Sequence, residues 1–107
     1  MHTRPLTLII VGTSLTCLLA GQSASNGFDY AVGKPDGRGY YNAQDFTTNN
    51  HLGEDWNGNG GGNSDLCNPV YAISSGLIVY ADNAGPGWGN VVIVEHLLPD
   101  SSRIRSL

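Results

Sequence analysis

The stretch with the most chemical potential is His51-Leu52-Gly53-Glu54-Asp55. An imidazole nitrogen and a carboxylate oxygen are both good ligands for zinc. A spacing of four places His51 and Asp55 on one face of a helix, and also on one face of an extended strand. Gly53 and the Gly/Asn-rich run behind it predict extended or loop backbone here. On spacing alone, such a pair is more often two surface side chains than a metal site. Glu54 could act as a general base, but an extended backbone would send its side chain to the face opposite His51.

Other reactive residues have plainer readings. His96 follows a run of apolar strand residues and reads as a structural histidine near a strand end, although it could be weighed as a further ligand. Cys67, just before Asn68-Pro69, reads as a small half-buried residue at the start of a strand. With Cys17 inside the apolar leader, Cys67 has no disulfide partner. Asp55-Trp56-Asn57-Gly58-Asn59-Gly60 matches the first half of a calcium loop. The twelfth position needs a bidentate glutamate and holds Leu66, so the run reads as a Gly/Asn loop. Tyr71 and Tyr80 are expected in strands as packing groups. Tyr40, Tyr41, Trp56 and Trp88 fall near loops, where packing under the Gly-rich loops is the plainer reading and lining a groove for a glycan or peptide strand the alternative.

Several elements must position these groups. Met1–Pro5 carries Arg4, Leu6–Ala20 is almost wholly apolar, and small residues follow from Gly21 to Ser25. That is the layout of a secretory signal peptide, expected over residues 1–24, with cleavage between Gly21 and Ser25. The apolar run is short for a bilayer span of about 20 residues. No stable membrane insertion is expected after cleavage. Residues 25–50 read as an extended segment with a turn at Lys34-Pro35-Asp36-Gly37. Residues 51–107 read as a β-sheet core. Its strands are expected at 69–73, 77–81, 90–97 and 103–107, with the Leu98–Ser102 stretch as a hairpin turn. No helical period is present in the mature region. Short successive loops predict an all-β, antiparallel meander.

Charge narrows the partners. All nine carboxylates fall after the leader, against Lys34, Arg38, Arg103 and Arg105. The mature part is acidic and has no basic patch, which argues against nucleic acid.

The order of motifs points further. His51-x-Gly-x-Asp55 precedes a Gly-rich loop, then Pro69-Val70-Tyr71-Ala72 and Gly76 opening an apolar strand. Gly87-Trp88-Gly89-Asn90-Val91-Val92 and a strand ending in His96 follow. From His51 to about Leu107 the chain resembles the lysostaphin-type (LytM-like) zinc metalloendopeptidases, which hydrolyse peptidoglycan cross-link peptides. The resemblance implies a partial peptidase β-sheet core, zinc as cofactor, and His51 and Asp55 as two of its ligands. It also implies a peptidoglycan peptide as partner and a secreted, periplasmic or cell-wall location, in agreement with a signal peptide. In that family the third ligand is the second histidine of a His-x-His motif, and a Tyr-x-His segment assists catalysis. Neither matches any residue here, so the chain is expected to be truncated before them and inactive. A catalytic zinc needs three protein ligands plus a water, and a group to move the proton. Whether the chain is an enzyme thus stays open; the alternatives are a non-catalytic cell-wall binding or regulatory module, or a gene fragment.

Overall fold

The structure is a computed structural model in which residues 21–107 are described. The expected leader falls outside the described residues except for its last four positions. Among these, Gln22 is tied to the sheet: its amide donates to the Glu95 carbonyl at 2.8 Å and its Oε1 accepts from Arg103 at 2.9 Å.

The described residues are all-β, in two antiparallel sheets. The first joins β1 (Tyr40–Gln44) to β2 (Asp55–Gly58). The second is a three-stranded meander of β3 (Leu77–Asn83), β4 (Asn90–Leu97) and β5 (Arg103–Ser106). The only helical feature described is a single 3₁₀ turn at Thr48–Asn50. Among the described residues no helix is long and apolar enough to cross a membrane.

β4 is the centre of the meander because Val91-Val92-Ile93-Val94 are β-branched and fit a pleated, half-buried surface. Val91 and Val94 are the buried hydrophobics, and His96 is fully buried. Val79 forms a bulge between the pairs Ile78↔Val94 and Tyr80↔Ile93. Paired residues share a face, so the extra residue puts Leu77 and Tyr80 together on the side of Glu95 and Ile93. Ile78 and Ala81 take the opposite side, with Val94 and Val92.

The β4–β5 turn carries out the expected hairpin. Pro99 suits the first turn position and Ser101 takes a left-handed φ of 69°. The Ser102 hydroxyl and N–H both donate to Asp100 Oδ1, at 2.6 and 2.9 Å. Those bonds hold the Asp100 carboxyl below its ordinary range. On the sheet, Glu95 receives Arg103 at 2.9 Å and Arg105 at 3.0 Å.

Three expectations need correction. Residues 69–73 are not a strand. Pro69 lacks an N–H, and only two backbone bonds tie the segment to residues 29–31: Tyr71 N–H to Ala31 and Asp29 N–H to Ile73. Tyr71 therefore lies outside any strand, under the Lys34 ammonium at 5.3 Å. Conversely, β1 forms within the segment expected only to be extended, and β2 within the run that reads as a Gly/Asn loop. Trp56 is in a strand, and four of the six residues of the calcium-like run, Asp55 to Gly58, lie in the β1–β2 ladder. Cys67 is exposed, with a φ of 68°, because its residue turns the chain out of the Gly-rich loop instead of opening a strand.

Candidate functional site

His51 is delivered by a tight, polar turn. After β1, Asn42 Nδ2 donates to Asp45 Oδ1 at 2.8 Å and Gln44 Nε2 donates to the Thr48 carbonyl at 3.0 Å. Thr47 N–H then donates to the His51 carbonyl at 2.8 Å, and His51 N–H to the Thr48 carbonyl at 3.0 Å. Thr47, Asn49 and Asn50 all have positive φ. Asparagine tolerates that region, but a β-branched threonine is strained there. Left-handed non-glycine residues cost about 1–3 kcal/mol each and concentrate near functional groups.

The His51 side chain is half-buried and lines a hollow of about 730 Å³ with Leu52, Glu54, Trp88, Arg105 and Leu107. Its Nδ1 is shielded from solvent and has no hydrogen-bond partner. A buried nitrogen left without a partner costs about 1–3 kcal/mol. A bound group that accepted or donated at that atom would remove the cost.

Asp55 lies at the start of β2, exposed, and opposite Gln44. It is not among the residues lining the His51 hollow. The chain bends at Leu52-Gly53, which interrupts the extended alternation that the spacing argument assumes. The same bend corrects the expectation for Glu54. It lines the hollow together with His51, and its Oε2 accepts from the Trp56 indole N–H at 3.0 Å.

His96 stands apart from this cluster. Its Nδ1 lies 2.9 Å from the Ser75 carbonyl and its Nε2 lies 2.8 Å from Ser106 Oγ. One neutral tautomer satisfies both: Nδ1–H donates to the carbonyl, and the Ser106 hydroxyl donates to Nε2. The Phe28 ring meets the imidazole edge-on at 5.7 Å. With zero exposure and both nitrogens engaged, His96 has no free lone pair for a metal.

Fitting a zinc ion to the residues present gives a partial answer. The unpartnered His51 nitrogen suits a metal. Among the described residues, however, no group of three or more His, Cys, Asp or Glu side chains converges. The donor set is at most half of a zinc site, and no reaction step can be drawn through it.

A second hollow adjoins the first, and of the loop aromatics weighed as groove-lining residues only Trp56 reaches it. It measures about 630 Å³ and is walled by Phe28, Tyr30 and Trp56 with Asp29, Asp36 and Glu54. The Tyr30 and Trp56 rings lie 4.8 Å apart at an angle of 54°. Glu54 and Leu107 line both hollows. Only the clustering of aromatics and carboxylates between residues 28 and 56 hinted at it.

No family model, no curated protein and no solved structure matches the chain.

Proposed function

We propose that this chain is part of a zinc metalloendopeptidase of the lysostaphin type, directed at peptidoglycan cross-link peptides and exported to the cell wall. His51 and Asp55 serve as two metal ligands in this reading. The observation that carries it is the buried, unpartnered Nδ1 of His51 at the wall of an open hollow. The order of short motifs from His51 to His96 supports it, as does an antiparallel meander in the expected place.

With two donors only, the chain by itself binds zinc weakly and does not hydrolyse its target. A second reading, in which the chain holds cell-wall peptide without cutting it, draws on the two open hollows that share Glu54 and Leu107.

The test is a zinc titration of the purified chain against a chromophoric chelator. Binding should fall about tenfold or more in His51→Ala and in Asp55→Ala. Unchanged affinity in both variants would remove the metal reading. Release of peptides from purified peptidoglycan by the wild-type chain, lost in His51→Ala, would overturn the statement that it is inactive alone. Co-sedimentation with peptidoglycan that is equal in wild type and His51→Ala would favour the binding module.

A further inference from the structure

We propose that the hollow between Tyr30 and Trp56 is an ammonium-accepting subsite, which holds a positively charged amine of a peptide. The peptide part of this statement rests on the peptidase reading above. The recognition of the amine rests on the hollow itself.

Its walls combine two features that attract the same kind of group. Three carboxylates, Asp29, Asp36 and Glu54, line it, and no lysine or arginine does. Three aromatic rings line it as well: Phe28 and Tyr30 are each about half exposed, and Trp56 is partly so. The face of an aromatic ring carries partial negative charge and binds alkylammonium groups, most strongly on tryptophan. A carboxylate ligand would meet repulsion from all three acids. The size also suits a side chain or a short peptide end, since small-molecule sites run from about 300 to 1,000 Å³.

The groups are held in place. Gly37 is buried beneath the rings with a φ of +69°, and a Cβ there would lie 3.2 Å from Tyr30 Cδ2 and 3.6 Å from Trp56 Cζ3. Its missing side chain lets the rings close over the turn. Asp29 Oδ1 accepts Tyr30 N–H at 2.7 Å and Asp36 N–H at 2.9 Å, which brings Asp36 to the same wall. Glu54 Oε2 accepts the Trp56 indole N–H. Its other oxygen remains able to accept from an ammonium. Lys34, two residues before Asp36, is committed elsewhere: it donates to the Ala72 carbonyl at 2.8 Å and lies over Tyr71.

Position adds the last point. Glu54 and Leu107 are shared with the His51 hollow, so an amine held here sits beside the hollow that His51 lines. The amine would arise from a peptide's free amino end or from a lysine-type side chain, and the two are separable.

The experiment follows the indole N–H resonances of the full chain by two-dimensional NMR in chelator-treated buffer. There are two tryptophans, and Trp88→Phe assigns the Trp56 signal. The probes are triglycine amide, N-acetyl-Gly-Lys-Gly amide and N-acetyl-triglycine amide. The Trp56 signal should shift with at least one of the two amine-bearing probes, and whichever shifts it identifies the source of the amine. The fully acetylated probe should bind about tenfold more weakly, and high salt should weaken the amine probes. Glu54→Gln should reduce binding several-fold while the β4 amide pattern is retained, and Asp36→Asn provides a second variant if the first does not fold. Equal shifts with the acetylated probe, or none with either amine probe, would overturn the proposal. Because no metal is present, failure of zinc binding at His51 leaves this result standing, and the reverse also holds.

Discussion

The meander β3–β5 and the pair β1–β2 are held together by different means. The meander has a long ladder and a buried centre at Val91, Val94 and His96. The pair has four matched positions and leans on side chains: Asp65 accepts Gly58 N–H at 2.9 Å, and the Tyr40 hydroxyl accepts from Asn68 at 2.8 Å. Both candidate hollows draw most of their polar groups from the second region and its flanks, and only a few residues, such as Trp88 and Leu107, from the first. The contrast is a division between a ladder-rich element with a buried centre and a polar, loop-rich element that lines the hollows.

The largest effect expected from that contrast lies in the meander. A Cβ at Gly76 would fall 2.5 Å from Val94 Cγ1 and 2.7 Å from the Glu95 carbonyl, so Gly76→Ala should cost about 2–3 kcal/mol. His96→Ala should cost about 3 kcal/mol, since it opens a cavity and strands Ser106. Urea unfolding followed by circular dichroism measures both, and losses below about 1 kcal/mol would break the division drawn above. Asp65→Ala should cost less, about 1 kcal/mol, by freeing the Gly58 N–H. Its exchange signature should be confined to β1–β2. Thr47→Gly should stabilise by about 0.5–1 kcal/mol through relief of its left-handed φ, without changing the meander.

The smallest change is set by pH. Hydrogen bonds from Arg105, then from Arg103, outweigh desolvation and hold Glu95 below the ordinary carboxylate range. A depressed folded pKa gives a contribution that is fully present above the unfolded value. It is lost as the pH falls through the folded one. Stability of the wild type should therefore decline on acidification beneath the usual glutamate range, with a shallower decline in Glu95→Gln. The arginines are 51% and 64% exposed, so solvent screening keeps the effect small. Identical acid melting profiles would show that the triad contributes nothing.

How far the sequence could be read follows the same division. β4 was legible over its full length from Asn90 to Leu97, because consecutive β-branched residues leave few other conformations. The Pro99-Asp100 turn was legible because each residue matches its position. β1 and β2 were not, since Asn, Gly and Gln carry weak strand preference and their pairing is decided by partners distant in sequence. His51 could be singled out by side-chain type, but the bend at Leu52-Gly53 could not be foreseen. That bend leaves Asp55 outside the hollow that His51 lines. The ring pair of Tyr30 and Trp56 left no periodic trace, because tertiary folding alone brings the two together.

The Ser75 carbonyl accepts from both the buried imidazole and Ser25 Oγ, the latter at 2.9 Å, while Ser25 N–H donates to the Leu97 carbonyl at 2.7 Å. One oxygen thus clasps the amino-terminal ribbon to the middle of the sheet. Peeling the ribbon away unfastens the imidazole as well, so the stretch around Ser25 cannot fray independently of the sheet. Fraying there and rupture of the sheet become a single cooperative event.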